Sequence, residues 1–141
     1  MTYHFRVHSE KNRLWAECIE LEGCLTQGGN RGELDRNMQE ALNLYLEEPE
    51  SSKTLFPSPL PGSFGRNVVS VEVDPVVAFS MQLRQLRVLH KLTQAQAARR
   101  LGMRSLYSYQ RLERRSNPSL ATIKKIKALF PDFSLDAILS G

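Results

Sequence analysis

The fold of this chain is decided by residues 92–113, which read LTQAQAARRLGMRSLYSYQRLE. Thr93 has a typical helix-capping side chain, and the apolar positions after it predict a helix over residues 94–101. Gly102 favours a tight turn at the end of that helix, because glycine tolerates left-handed backbone angles. A second helix is predicted over residues 105–115. Its expected buried stripe is Leu106, Tyr109 and Leu112.

The segments on either side of this pair also follow a helical period. An upstream helix ends near His90 and Lys91, and its expected inner stripe is Phe79, Leu83, Leu86 and Leu89. Pro118 and Ser119 open a downstream helix with the expected inner residues Leu120, Ile123, Ile126 and Leu129. Ser134 caps a short last helix with the expected inner residues Leu135, Ile138 and Leu139. Residues 75–141 are therefore predicted to form an all-α domain of five helices.

Electric charge divides the chain near residue 75. Residues 1–75 carry seven Lys and Arg against twelve Asp and Glu, a net charge of −5, whereas residues 76–141 carry twelve against three, a net charge of +9. The basic half suits a polyanionic partner. No run approaches the roughly 18 apolar residues of a membrane-spanning helix, and the N-terminus lacks the apolar core of a signal peptide. We therefore expect no membrane partner and a cytoplasmic location.

Several separately placed motifs resemble the helix-turn-helix domain of phage repressors, the Cro/C1 or XRE type. They are Leu92-Thr93-Gln94 with Ala97 and Leu101-Gly102, then Leu112-Glu113-Arg114, then Asn117-Pro118-Ser119-Leu120. The resemblance implies that the third helix of the domain reads double-stranded operator DNA in the major groove. It also implies a homodimer or a dimer of dimers, because one such helix reads too few bases. The stretch from Gly102 to Glu113 is one residue longer than the commonest form of the family.

The third helix of the basic half leaves a polar set available once its apolar positions are removed. The set, which is our expected DNA-binding surface, is Arg104, Ser105, Tyr107, Ser108, Gln110, Arg111 and Arg114. Tyr107, Ser108 and Arg111 are the expected base contacts, because arginine forks onto guanine and an aromatic ring meets a thymine methyl group or a phosphate.

Three further expectations concern polar residues outside this set. Gln94 resembles the family's contact to a backbone phosphate. Arg87 and Glu113 stand where the family has a partly buried structural pair. For the three lysines of the fourth helix, DNA-backbone contact and simple exposure both stay open; these are Lys124, Lys125 and Lys127.

The acidic half predicts a small sheet with one helix. Its first residues alternate, with Tyr3, Phe5 and Val7 on one side and His4, Arg6 and His8 on the polar side. The predicted elements are strands at residues 2–8 and 14–19, a third short strand after Gly23, a helix from the cap Asn30 to about Leu46, a Pro-rich connector at residues 47–67 and a last strand at residues 68–73. The chain is therefore predicted to be α+β, with a β-β-β-α-β domain at residues 1–74 and the helical domain at residues 75–141.

Two stretches of the acidic half resemble the N-terminal domain of HicB antitoxins. They read AECIELEGCLTQG at residues 16–28 and EALNLYL at residues 40–46. The resemblance implies a degenerate RNase H-like domain that binds and occludes a HicA-type toxin, a small mRNA-cleaving protein, while the second domain represses the operon. An acidic surface fits a basic, RNA-binding toxin. The residues expected to steer that encounter are Glu17, Glu20, Glu22, Glu33 and Asp35.

Other classes of function find less support in the residues. A nuclease in the first domain needs carboxylates that converge on paired metal ions, whereas Glu17 and Glu20 fall on opposite faces of a strand. We find no metal-site, cofactor or catalytic motif and expect that the chain is not an enzyme. Cys18 and Cys24 are expected to stay reduced and to pack as small apolar residues. The remaining alternative is a ligand-sensing transcriptional repressor without a toxin partner.

Overall fold

The structure, a computed structural model, describes residues 1–47 and 52–140. The predicted α+β class is confirmed, with an antiparallel sheet in the first half and helices in the second. The elements are β1 (Thr2–Glu10), β2 (Arg13–Cys18), β3 (Leu25–Gly28), α1 (Arg31–Leu46), β4 (Val68–Glu72), α2 (Pro75–Leu89), α3 (Gln94–Arg100), α4 (Leu106–Leu112), α5 (Leu120–Leu129) and α6 (Leu135–Leu139). Residues 48–51 of the predicted connector and Gly141 lie outside the described residues.

The described residues group into two compact units. The first unit contains Met1–Glu47 and Phe56–Asp74, and the second contains Pro75–Leu139 together with residues 52–55. Over residues 1–47 and 52–140, no helix has the length and apolar character needed to cross a bilayer.

The first unit is built on a four-stranded antiparallel sheet with the strand order β3-β2-β1-β4. The alternation predicted for β1 is confirmed at Tyr3 and Phe5, which are fully buried. The helix begins where predicted, since Glu33 N donates a 2.9 Å hydrogen bond to the side-chain oxygen of Asn30. Gly28 permits the close approach of α1, because a Cβ there would lie 2.6 Å from the backbone nitrogen of Leu34. The apolar face of α1 thereby closes the core, with Leu34, Met38, Leu42 and Leu46 buried.

Residues 56–67, the covering segment, run along the sheet from near Tyr3 to near Val7. Asp74 N, just after β4, donates a 2.9 Å hydrogen bond to Oδ1 of Asn43 near the end of α1. The chain leaves α1 at the end of the sheet where β4 finishes, so it must first return to the other end. On the way, Asn67 O accepts a 2.7 Å hydrogen bond from Val7 N. This return makes β4 antiparallel to β1.

The face of the sheet opposite α1 is partly covered by the same segment. The strand pattern places His4 on the polar side of β1, yet His4 is buried. The Phe64 ring packs against it, with ring centroids 4.5 Å apart. The prediction was wrong at His4 because the pattern of one strand says nothing about a cover supplied by a distant segment.

The second unit consists of α2–α6, and it confirms the predicted five helices. Phe79, Leu83 and Leu86 are buried in α2, as expected. The expected burial was wrong for five leucines that are 37% to 79% exposed, namely Leu89, Leu106, Leu120, Leu135 and Leu139. Each occupies the first or last position of its helix, where the apolar stripe continues past the edge of a small core.

Candidate DNA-binding surface

Local capping interactions hold α3 and the turn that leads to α4. Thr93 Oγ1 accepts a 3.1 Å hydrogen bond from Gln96 N, and the Gln96 side chain accepts a 2.9 Å hydrogen bond from Thr93 N. This reciprocal pair is a capping box. Gly102 follows with a φ of +71°, and Met103 N donates to Ala98 O at 2.9 Å. The left-handed turn predicted at Gly102 is therefore present, and it sets the direction in which the chain leaves α3.

A buried polar cluster fastens the end of α4 to α2. Nε of Arg87 lies 2.6 Å from Oε2 of Glu113, and Nη2 of Arg87 lies 3.0 Å from Oε1. The Tyr109 hydroxyl donates to the same carboxylate, and Nη1 of Arg87 donates to the Leu92 carbonyl at 3.0 Å. A two-point contact between guanidinium and carboxylate fixes both distance and orientation.

The pKa shifts of Tyr109 and Arg87 favour the protonation states that these hydrogen bonds require. Burial raises the pKa of Tyr109, and the adjacent Glu113 carboxylate raises it further. Burial lowers the pKa of Arg87, but the hydrogen bond and charge of Glu113 outweigh burial and raise it overall. Tyr109 therefore stays a hydroxyl donor, and Arg87 stays charged.

Gln94 bridges α3 to this cluster. Its Nε2 donates to Oε1 of Glu113 at 3.2 Å, and its Oε1 accepts from Nε2 of Gln110 at 3.3 Å. A side-chain amide carries two N–H groups, and the contact with Glu113 engages one of them. The phosphate contact expected for Gln94 stays a prediction, and the structure adds a bridging role that the sequence did not indicate.

Opposite the buried cluster, α4 presents an exposed polar face. Tyr109 and Leu112 face inward, whereas Tyr107 is 60% exposed. Arg111 lies one turn further along, with its guanidinium carbon 6.0 Å from the centroid of the Tyr107 ring. Of the remaining predicted residues, Gln110 is half-buried and the others are exposed, namely Arg104, Ser105, Ser108 and Arg114.

A groove of about 680 Å³ runs beside α4. It brings together four of the predicted residues, namely Tyr107, Ser108, Arg111 and Arg114. It also contains Arg115 and Asn117, which are outside the predicted DNA-binding surface because the predicted helix continues to residue 115. The helix ends at Leu112 instead. The Asn-Pro pair at residues 117–118 disfavours helix at Asn117, but it does not predict an end as early as Leu112.

The start of α4 differs in detail from the prediction. Ser105 lies just before the helix and caps it, since its Oγ accepts a 3.2 Å hydrogen bond from Ser108 N and lies 2.9 Å from Ser108 Oγ. Leu106 follows and is 43% exposed rather than buried. Ser105 therefore has a structural role, and Leu106 adds an apolar group beside Tyr107.

The three lysines of α5 have different surroundings in the structure. Nζ of Lys127 donates to the carbonyl oxygens of Pro131 and Phe133, at 2.6 and 2.7 Å. These contacts close the turn after α5, so Lys127 has a structural role. Lys124 and Lys125 are exposed.

The acidic residues of the first unit include one that is not on the surface. The Glu20 side chain is 1% exposed, with Oε2 2.8 Å from Nδ1 of His4 and Oε1 accepting a 2.9 Å hydrogen bond from His4 N. Leu60 N also donates to Oε2, at 3.1 Å. Burial raises the pKa of Glu20, but the hydrogen bonds from His4 and Leu60 outweigh it and lower the pKa overall. The expectation that Glu20 belongs to an acidic surface was therefore wrong, because the covering segment buries it as a structural carboxylate.

The other predicted acids lie on different sides of the first unit. Glu17 is opposite to the buried Ala16 and Cys18 along β2, and Nε2 of His8 lies 3.1 Å from its Oε1. Asp35 accepts a 2.8 Å hydrogen bond from Arg31 on the exposed side of α1. Glu22 and Glu33 are exposed as well. These acids do not converge, and across residues 1–47 and 52–140 no three His, Cys, Asp or Glu side chains group as metal ligands.

The first unit also has an apolar groove near its hairpin. It has a volume of about 690 Å³, and Leu14, Trp15 and Leu25 line it together with Arg13 and Gln27. Leu25 is 59% exposed. The sequence alone does not predict this groove, because Trp15 and Leu25 belong to different strands.

One comparison with known proteins bears on the second unit. Residues 83–137 match the family model of the helix-turn-helix domain, of the Cro/C1 type. The match runs from the second half of α2 into α6 and includes the whole exposed face of α4. It identifies a DNA-binding helix-turn-helix of the kind found in transcription regulators. No curated protein matches the sequence.

Proposed function

We propose that this chain is the antitoxin of a HicAB-type toxin–antitoxin system and that it represses its own operon. The DNA-binding part rests chiefly on one observation. The outer face of α4 presents Tyr107 and Arg111, while a buried ion pair between Arg87 and Glu113 holds the end of that helix. A rigid helix with exposed polar side chains is what reading base edges in a major groove requires.

The assignment of roles on the DNA follows from exposure and chemistry. Arg111 forks onto the O6 and N7 acceptors of a guanine, and Tyr107 meets a neighbouring thymine methyl group or phosphate. Ser108 contributes a base contact while its backbone nitrogen is held by Ser105. Arg104, Gln110 and Arg114 contact the flanking backbone, and Gln94 contacts a phosphate.

The proposed repressor acts as a homodimer or a dimer of dimers on double-stranded operator DNA. A single recognition helix reads only a few base pairs, so a two-fold dimer reads inverted half-sites about 34 Å apart, or a multiple of that distance. The net charge of +9 over residues 76–141 supports binding to the phosphate backbone.

For the first unit we propose the toxin-binding role. The HicB-like motifs and the β-β-β-α-β order of its elements support this role, and so does the net charge of −5 over residues 1–75. The degenerate RNase H-like assignment and the division into residues 1–74 and 75–141 are part of the same proposal. The residues proposed to steer the toxin lie on different sides of the unit. They are Glu17, Glu22, Glu33 and Asp35. The proposed location is the cytoplasm, and no catalytic activity, cofactor or metal is proposed.

A second candidate is a ligand-sensing repressor without a toxin partner. The apolar groove beside Trp15 and Leu25 favours it, because its volume of about 690 Å³ lies within the range of about 300–1,000 Å³ typical of small-molecule sites. The groove is bordered by the charged residues Glu10, Lys11 and Arg13. A ligand for it would be a flat apolar molecule with one polar end.

Co-expression of the full chain with the reading frame beside its gene separates the two candidates. The antitoxin proposal expects that a small basic protein co-purifies with the chain and arrests growth when expressed alone. Normal growth on expressing the neighbour alone, with no protein co-purifying, contradicts the proposal and favours the ligand sensor.

Two variants separate the two proposed activities. Arg111→Ala should weaken binding to the upstream DNA and retain the co-purifying protein. Glu33→Lys combined with Asp35→Lys should weaken retention of that protein and leave DNA binding intact. Loss of both activities in both variants would contradict the proposal that DNA binding and toxin binding belong to different units.

A further inference from the structure

Cys18 and Cys24 face each other where the β2–β3 ladder ends. Glu17 pairs with Leu25, so Cys18 and Cys24 are the next opposed pair, and Cys18 N donates a 2.9 Å hydrogen bond to Cys24 O. Cys24 N donates instead to Leu21 O at 3.2 Å, so the two residues share one backbone hydrogen bond. Opposed residues of an antiparallel ladder have Cα atoms about 4.5–5.5 Å apart, and a disulfide spans Cα distances of about 4.4–6.8 Å. Because opposed residues point to the same face of a sheet, the two thiols are neighbours.

The two thiols are reduced, buried and chemically unequal. Both cysteines are free and less than a tenth exposed. A hydrogen bond from the Cys24 thiol lowers the pKa of Cys18, although burial opposes it. The same contact and burial raise the pKa of Cys24. Cys18 is therefore the thiol that loses its proton first, and Cys24 stays protonated beside it.

We propose that Cys18 and Cys24 are a redox modification site, a dithiol that oxidises reversibly to an intramolecular disulfide across β2 and β3. The proposal rests on their opposed positions and shared face, and it is independent of the proposed antitoxin function. It revises the expectation that both cysteines serve only as packing.

Forming the disulfide from two thiols removes two electrons, and a hydroperoxide is an oxidant that accepts them. The Cys18 thiolate attacks the peroxide O–O bond and becomes a sulfenic acid, while the peroxide leaves as an alcohol, or as water from hydrogen peroxide. The Cys24 sulfur then attacks the Cys18 sulfur, and the hydroxyl group leaves as water with the Cys24 proton. A low-molecular-weight disulfide gives the same product through two exchanges that release two thiols.

The disulfide has a structural consequence beyond the two sulfurs. It closes residues 19–23 into a ring and removes the thiol that donates to Oε1 of Glu20 at 3.7 Å. The Glu20 carboxylate also holds Leu60 N at 3.1 Å. Oxidation therefore removes one hydrogen bond from the Glu20 carboxylate, and this carboxylate joins the covering segment to the sheet through Leu60 N.

The test measures the thiol–disulfide equilibrium of the full chain. The chain is brought to equilibrium with mixtures of reduced and oxidised glutathione, from both the reduced and the oxidised side, so that burial of the thiols does not limit the result. Free thiols are then blocked with N-ethylmaleimide. Trypsin places both cysteines in one peptide, residues 14–31, which carries two labels when reduced and none when the disulfide has formed.

The comparison that decides the proposal is between the native chain and the same chain in urea. Any two nearby cysteines can pair in an unfolded chain, so the expected result is a disulfide equilibrium constant at least about tenfold larger in the native chain. The oxidised native chain should also have a higher Tm than the reduced chain. Equal constants in the native and unfolded chains, a lower Tm after oxidation, or glutathione adducts without the internal disulfide would each overturn the proposal.

Cys18→Ser and Cys24→Ser are the matched control variants. Each retains one thiol and should reach, at most, one mixed disulfide with glutathione, with no rise in Tm. If either variant gains the same stability in oxidised glutathione as the native sequence, the effect does not come from the proposed bond.

Discussion

Arg87 in α2 and Glu113 just after α4 are joined by two hydrogen bonds of 2.6 and 3.0 Å, and both side chains are buried. The same carboxylate also receives the Tyr109 hydroxyl and the Gln94 amide. One buried anion thus connects three helices. The exposed face of α4 takes its orientation from this connection, since α4 has only seven residues.

Removing one partner of this pair should destabilise the second unit strongly. Arg87→Met leaves the Glu113 carboxylate buried without its cation, and breaking a buried pair in this way typically costs about 3–5 kcal/mol. Urea unfolding of the full chain, followed by circular dichroism, measures the loss. A change below about 1 kcal/mol would show that Glu113 finds water or another cation.

The double variant Arg87→Met, Glu113→Leu is the control for this prediction. It removes both charges and should recover part of the lost stability, because no ion stays buried without a partner. A double variant as unstable as the sum of the two single variants would contradict the ion-pair explanation.

Arg111 and Lys124 should affect DNA binding in different ways. Arg111→Ala should cost about 1–3 kcal/mol on the operator and relax sequence preference, because it removes a contact to base edges. Lys124→Ala should weaken binding to all sequences equally and reduce the slope of affinity against salt concentration by about one. Titrations with operator and random duplexes at several salt concentrations measure both effects. If both variants keep the affinity and footprint of the native chain, this assignment of roles is wrong.

Ser105 should matter for stability rather than for reading bases. Its hydroxyl caps α4 by accepting from Ser108 N, so Ser105→Ala should cost about 1 kcal/mol of stability. The ratio of operator to random-DNA affinity should stay unchanged. A fall in that ratio with normal stability would show instead that Ser105 contacts a base.

Glu20 should make the first unit sensitive to acid. Its pKa is lowered in the folded chain from an ordinary value of 4.5, by His4 and Leu60 against the effect of burial. Because the folded pKa is the lower one, Glu20 stabilises the fold above pH 4.5, and this contribution is lost as the pH falls through the folded pKa. The urea midpoint of unfolding is measured at pH 7 and at low pH. Its decrease between the two pH values should therefore be smaller in Glu20→Gln than in the native chain.

The variant Glu22→Gln serves as the matched control, because Glu22 is exposed two residues away. It should follow the pH dependence of the native chain. A Glu20→Gln variant with an unchanged pH dependence would contradict the stabilising role of the ionised carboxylate.

The local features of the fold were predictable and the non-local ones were not. The Thr93 cap and the Gly102 turn follow from neighbouring residues, and the structure contains both. The burial of His4 and Glu20 depends on the segment that carries Leu60 and Phe64, which no local pattern links to β1.

The candidate site shows the same limit. The exposed positions of Tyr107 and Arg111 follow from the helical period. The end of α4 at Leu112 and the exposure of Leu106 do not. Both depend on how far a small core extends along a short helix.

The most direct test of the central claim is a competition gel shift with the full chain and the DNA upstream of its own gene. At physiological salt, a specific operator complex should be about 10³-fold tighter or more than the complex with a random duplex of the same length. The Arg111→Ala variant should lose most of that preference. Equal affinity of the native chain for the two duplexes would contradict the claim that α4 reads DNA sequence.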